Sequence, residues 1–192
     1  MPPAAPPSLD RDLHRFVRVV YGIGAAVPSR ERSLAWRYRG RVPADMEIAP
    51  IAPEVFEELL PLIGAYQRFY AIEDVDEERN RAFFRRFLAP SEDGLLLGAR
   101  SEGRLVGYAC LYWHFSSLEA CECVLMNDLF VDEQARGQGV GRALIEAAAA
   151  VARERDVPFV EWSTAPDNET AQRLYDSTGA ERTEWFSYEL RV

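Results

Sequence analysis

The run Arg136-Gly137-Gln138-Gly139-Val140-Gly141-Arg142-Ala143 sets three glycines at alternate positions at the head of an alanine-rich segment. Glycine lets the backbone turn tightly and approach a ligand, because no Cβ stands in the way. A helix that starts there presents unpaired N–H groups and the positive end of its dipole, which together suit a diphosphate. Arg136 and Arg142 add formal charge on either side. Other phosphate loops fit badly. A Walker loop requires Gly-Lys-Ser/Thr, and every basic residue in this chain is arginine. A dinucleotide fingerprint requires Gly-x-Gly-x-x-Gly; its last position falls on Arg142 when counted from Gly137 and on Leu144 when counted from Gly139. A glycine turn that holds no ligand is the simpler alternative.

Asp128 is the second residue of interest. It follows Asn127 inside the apolar run Val124–Val131, where a carboxylate is costly unless it is paired or used. It is either a structural hydrogen-bonder or a group that acts on a ligand. Cys110, His114, Cys121 and Cys123 invite a metal reading, but their spacing matches no common zinc pattern. They are expected to be core or edge thiols, and no metal is expected. Two histidines and no Gly-x-Ser-x-Gly leave hydrolase triads unsupported. Without lysine there is no internal Schiff base and no lysine nucleophile.

These groups need a scaffold, and 192 residues suffice for one domain and a short extension. Residues 1–44 read as that extension: a Pro/Ala-rich tail, a helix from Ser8 through Val20, and an arginine cluster from Arg30 to Arg41. The cluster would meet cofactor phosphates or an acidic partner, or would simply be solvated. The domain proper spans 45–192. Met46–Ile51 is expected as a strand, then a helix opened by Pro53 and bent at Pro61, and a second helix over Asp76–Leu88. Leu95–Arg100 and Leu105–Phe115 form a hairpin across Ser101-Glu102-Gly103-Arg104. Cys123–Val131 follows as a strand, then a helix from Gly139 to Arg155, a strand over Pro158–Thr164, a helix over Asn168–Thr178 and a last strand over Trp185–Leu190. The order implies an α/β fold, a mixed sheet flanked by helices.

The formal charge of −9 makes nucleic acid a poor partner. No stretch approaches the roughly 20 apolar residues that span a bilayer. Three cysteines and the absence of a signal-like start point to a reduced, cytoplasmic setting. The free sheet edges and the segment at 185–190 suit a homodimer.

Arg136-x-x-Gly139-x-Gly141 after a hydrophobic strand resembles the acetyl-CoA signature of the GNAT superfamily of N-acetyltransferases. A second marker, Asn168-x-x-Ala171-x-x-Leu174-Tyr175-x-x-x-Gly179-Ala180, resembles the family's later helix. The similarity runs from about Met46 to Leu190. Phe69-Tyr70, Leu111-Tyr112-Trp113 and the Asn127–Val131 stretch are similar to the branch that includes polyamine- and thialysine-type acetyltransferases.

The resemblance implies a central, mostly antiparallel sheet whose fourth and fifth strands splay apart and leave a slot for pantetheine. Phe130 and Val131 would meet the pantetheine arm through their backbones. The turn Gly137, Gln138, Gly139, Val140, Gly141 and Arg142, with Arg136, would hold the diphosphate, and Asn168 and Ala171 would line the far side. Tyr175 falls where the family's catalytic tyrosine does; the alternative is a tyrosine packed on the sheet.

Acyl transfer to an amine needs a neutral amine, a stabilised oxyanion and a proton for the departing thiolate. A free amine titrates near about 10, so a base must take a proton at neutral pH. Asp128 is the candidate base or amine anchor, and Tyr175 the candidate acid. Polyamine-acting relatives carry glutamate where Asn127 stands, which leaves Glu122, Glu161 or a water relay as other routes. Tyr66, Tyr70, Tyr108, Tyr112 and Trp113 would wall an acceptor pocket or serve as core. The acidic run Glu73–Glu78 would attract a cationic amine or start a helix.

The expected activity is therefore direct transfer of acetyl from acetyl-CoA to a small-molecule or peptide amine in a ternary complex. A non-catalytic acyl-CoA sensor of the same fold is the alternative.

Overall fold

The computed structural model describes residues 36–40, 42–43 and 45–192. The expected helix at 8–20 and Arg30, Arg32 and Arg41 lie outside them. Strand order is β1 (Met46–Pro50), β2 (Gly94–Ser101), β3 (Arg104–Ser116), β4 (Cys121–Val131) and β5 (Val160–Glu161) across one sheet. The first four are antiparallel and β5 joins β4 in parallel. Between β1 and β2 lie a 3₁₀ turn (Pro53–Glu58), α1 (Leu60–Phe69) and α2 (Glu77–Phe84). Two helices complete the order: α3 (Val140–Glu154) between β4 and β5, and α4 (Glu169–Asp176) after β5.

Alternation along β3 builds both sides of the sheet. Leu105, Tyr108 and Cys110 face α1 and α2, where Phe56, Leu59, Ile63 and Phe84 meet them. Val106, Ala109 and Leu111 face α3, where Ala143, Leu144, Ala147 and Ala148 pack. From Tyr108 to Leu111 the strand's own period of two separates these sets, and a bulge at Val106, which has no partner in β2, shifts the alternation between Leu105 and Tyr108. Alanines on the inner face of α3 bring that helix close to the sheet, and Leu144 and Ile145 each add about 1.5–3 kcal/mol of burial.

Local chemistry sets the ends. Glu102 and Gly103 have φ of 50° and 76°, both positive, as a two-residue turn of right-twisting strands requires. Asp76 caps α2 by accepting from the Arg79 amide at 3.0 Å, and Glu77 and Glu78 pair with Arg81 at that helix's start. The acidic run is thus largely a helix start, supported by the dipole.

The helix expected from Pro53 is instead a 3₁₀ turn, and Pro61 sits in the first turn of α1. There its missing N–H removes no helical hydrogen bond. The strand expected at 158–164 contracts to Val160–Glu161. The strand expected at 185–190 is not formed; that segment has no regular structure. Trp36 and Tyr38 lie against α3, their side chains donating to Glu154 at 2.6 Å and to Glu146 at 2.7 Å.

Candidate active site

The parallel ladder between β4 and β5 is only Val124↔Val160 and Leu125↔Glu161. From Met126 to Val131, β4 runs on beside β3 with no strand on its other side among the described residues. The splay expected of strands four and five is present, and it opens onto the glycine turn.

At the turn Gly137 and Gly139 adopt φ of 76° and 83°. A Cβ on either would meet nothing within 4 Å, so both glycines face open space. Gly139 is also the N-cap of α3, with no side chain on the first-turn amides. Gly141 differs: its Cβ would lie 2.9 Å from Leu174 Cδ2, so it serves the contact of α3 with α4. The amides of Val140, Gly141 and Arg142 in that first turn have no intrahelical acceptor. The arrangement suits a phosphate lying against open backbone.

The two arginines have other partners. Arg136 Nε donates to the Val131 carbonyl at 3.1 Å, with its guanidinium 5.9 Å from the ring centres of both Phe69 and Phe130. Arg142 donates to Ser177 O at 3.0 Å and to Ser177 Oγ at 2.6 Å. Both tie elements together around the turn. Gln138 likewise bonds back to Gln134 O at 3.2 Å.

Asp128 lies at the foot of the splay with 5 % exposure. Its neighbour Asn127 has no partner in the β3 ladder, where Cys110 pairs Asp128 and Leu111 pairs Met126. This bulge leaves Asn127 exposed, its Nδ2 donating to Asp128 Oδ1 at 2.9 Å. Burial pushes the Asp128 carboxyl up to about 6, against the hydrogen bonds from Asn127 and Tyr66.

Tyrosines surround it. Tyr66 is edge-on to Tyr70 at 5.1 Å and to Tyr108 at 6.3 Å. Burial and the Asp128 charge push the Tyr66 and Tyr108 hydroxyls upward. The Tyr108 hydroxyl is fully buried and has no hydrogen-bond partner among the described residues. A carboxylate walled by aromatic faces and hydroxyls suits an ammonium group or the amine derived from it.

Tyr175 projects from α4, its ring edge-on to Trp162 at 5.4 Å. Burial, then the neighbouring Tyr70, pushes its hydroxyl up to about 12, so it stays protonated near neutral pH. Asp128, Tyr70 and Tyr175 all act on the Tyr66 hydroxyl, which places the four groups in one electrostatic neighbourhood. Asn168 caps α4 by accepting from the Ala171 amide at 3.1 Å. Beside it, Phe69 and Tyr70 at the end of α1 face Asn168, Thr170 and Arg173 across a cleft of ≈ 430 Å³. Phe130 is buried against Tyr66 and Tyr108, and its backbone pairs with Tyr108.

Of the thiols, Cys110 shares a hydrogen bond with Tyr112, and Cys123 joins a polar cluster: His114 Nδ1 lies 3.0 Å from Glu161 Oε1, with Cys123 Sγ 3.9 Å and 3.7 Å from them. Cys110 is buried opposite Asp128 and Cys121 stands apart. Spacing along the chain hid this trio, because Glu161 arrives from β5. It also hid Trp162, the ring against which Tyr175 stands.

The acetyltransferase (GNAT) family model matches residues 57–180. The chain belongs to that family. Among its relatives, the D-amino-acid N-acetyltransferase HPA3 of Saccharomyces cerevisiae is 42 % identical over 94 residues, 48 % of this chain and 58 % of that protein. The chain thus spans little more than half the length of that relative. The uncharacterized N-acetyltransferase YhfO of Bacillus subtilis is 31 % identical over 128 residues, 67 % of this chain and 85 % of that one. A crystal structure of a probable acetyltransferase superposes with a TM-score of 0.68 at 32 % identity, covering 76 % of this chain and 97 % of that one.

Proposed function

We propose that this chain transfers the acetyl group of acetyl-CoA directly to an amine held at Asp128. The observation that carries the reading is a buried carboxylate under the open end of a split sheet, ringed by tyrosines and adjoining a phosphate-ready turn. Acetyl-CoA is the donor that fits: the open faces of Gly137 and Gly139 and the first-turn amides of α3 take the diphosphate. The unpaired edge of β4 at Phe130 and Val131 takes the amide-bearing arm. Asn168 and Ala171 border the opposite wall.

Asp128 accepts a proton from the acceptor ammonium, directly or through a water. The freed nitrogen lone pair attacks the acetyl carbonyl carbon; as the C–S bond breaks, Tyr175 donates its proton to the departing sulfur. The electron pair of the C–S bond leaves with sulfur, and the surplus proton on the newly acylated nitrogen passes to the Tyr175 phenolate. Asp128 releases its proton to solvent, so both side chains return to their starting states. Asn127 holds the carboxylate's orientation from the bulge. The name of HPA3 puts amino acids first among acceptors to test, ahead of polyamines, antibiotic amines and peptide N-termini.

The experiment is release of free CoA from acetyl-CoA across a panel of these amines. At least one is expected to give saturable release; silence across the panel, with acetyl-CoA binding intact, overturns catalysis in favour of sensing. With a responsive amine, kcat should fall as pH drops through about 6, because Asp128 then takes up a proton before the amine can supply one. A profile flat from pH 5 to 7 would remove Asp128 as the base.

Gly139→Val is expected to raise the KM for acetyl-CoA at least tenfold. The side chain would occupy the open space before the turn and would strain a backbone at φ 83°. Calorimetry with CoA checks it. Unchanged affinity would move the diphosphate elsewhere.

A further inference from the structure

Three polar side chains meet where β3, β4 and β5 run side by side, at the closed end of the split sheet. His114 and Cys123 are direct partners in the β3–β4 ladder. Glu161 pairs with Leu125, two residues along β4 from Cys123, which puts all three side chains on one face of the sheet.

Their donor atoms converge. His114 Nδ1 stands 3.0 Å from Glu161 Oε1 and 3.9 Å from Cys123 Sγ, and the thiol is 3.7 Å from the same carboxylate oxygen. One ring nitrogen thus faces both the carboxylate and the thiol. A thiol–imidazole–carboxylate relay would give one ring nitrogen to each partner, so the trio is not built as a nucleophilic triad. Three donors aimed at one point are instead the arrangement of a cation site.

The dimensions agree. Zinc holds thiolate at about 2.3 Å and imidazole or carboxylate at about 2.0–2.2 Å, in a tetrahedral array. Those lengths set neighbouring ligand atoms about 3.3–3.6 Å apart, a range that the separations of 3.0, 3.7 and 3.9 Å straddle. One nitrogen, one sulfur and one oxygen suit zinc better than magnesium or calcium, which take oxygen. Cys123 forms the base at 2 % exposure, while the His114 and Glu161 side chains are 51 % and 46 % exposed. An ion can therefore enter from solvent and keep a fourth position for water.

We propose that His114 Nδ1, Cys123 Sγ and Glu161 Oε1 bind one Zn²⁺, which fastens β5 to its neighbours at the fork of the sheet. On binding, the thiol proton leaves to solvent and the imidazole proton resides on Nε2. A dication then meets two anionic ligands, and the site is neutral. The fastening matters because, among the described residues, β5 is held by two ladder pairs alone. Glu161 ends that strand, directly before Trp162, the ring on which Tyr175 packs.

Equilibrium dialysis of the chelator-stripped full chain against Zn²⁺, in a phosphine reductant, tests this. One ion per chain should be retained. Co²⁺ in its place should give a thiolate-to-cobalt charge-transfer band and the strong visible bands of a tetrahedral ion. Zn²⁺ at about a hundredfold above its Kd should raise Tm by about 5–10 °C. His114→Ala and Cys123→Ser should each weaken uptake at least about a hundredfold, the upper end of what losing an outer-shell partner costs, with the circular dichroism spectrum unchanged. Glu122→Gln should bind as the wild type does, because Glu122 alternates with Cys123 to the other face and pairs with Arg155. A wild type that retains no zinc overturns the proposal. So does a cobalt spectrum without the thiolate band, or uptake that survives either ligand substitution. None of these readouts uses turnover, so the outcome stands apart from the acetyl-transfer reading.

Discussion

Asp128→Asn should lower kcat/KM for the amine by about 10²–10³-fold and at the same time make the protein more stable at pH 7. The first effect is the loss of a general base, whose contribution is typically of that order. The second follows from burial. The carboxyl titrates near 6 in the fold against 3.8 outside it, so the native state holds the proton more tightly than the unfolded chain. The stability this gives is fully present below about pH 4 and is lost as pH rises through about 6. At pH 7 the charged form costs the fold up to about 3 kcal/mol, at 1.36 kcal/mol per unit.

Asparagine keeps the size and carries no charge, so it escapes that cost. Thermal melts of both proteins from pH 4 to 7 check the sign: the gap should widen as pH rises. Activity lost with stability also lost would make Asp128 a structural hydrogen-bonder. A buried charge retained at a cost to the fold is a group kept for its chemistry.

Tyr175→Phe should lower kcat by about 10²–10³-fold and leave acetyl-CoA binding unchanged. The hydroxyl, held up near 12 by burial and by Tyr70, remains protonated from pH 6 to 9. A departing thiolate therefore always finds its proton there, and the defect should be nearly constant across that window. The ring still packs on Trp162 in the variant, so the fold gives no reason for a KM effect. Stopped-flow or steady-state turnover across that pH range, beside calorimetry with CoA, separates the two quantities. Unchanged turnover would remove Tyr175 from the reaction and leave it a packing residue.

The sequence was most legible where local chemistry decides structure. Glu102-Gly103 specified its turn, Asp76 and Asn168 their helix caps, and Gly137 and Gly139 their left-handed backbone. It was less legible where partners come from elsewhere in the chain. The charges of Arg136 and Arg142 suggested phosphate, but Val131 O and Ser177, five and thirty-five residues away, hold them. No periodicity announced the bulge at Asn127, because it exists only against β3. Residues 185–190 have a strand's composition, yet composition cannot supply a neighbour. Among the described residues they have none, and the ladder they are suited to does not form.

The split in the sheet has a consequence for the protein between turnovers. Along Met126–Val131 the outer edge of β4 has no ladder partner among the described residues, the kind of edge that invites illicit pairing between chains. On the proposed reading, the amide-bearing arm of the donor stands in for the missing strand, so the cosubstrate also shields the fold. The molecule is then most vulnerable to aggregation when CoA is scarce, and its lifetime would follow the metabolic supply that sets its rate.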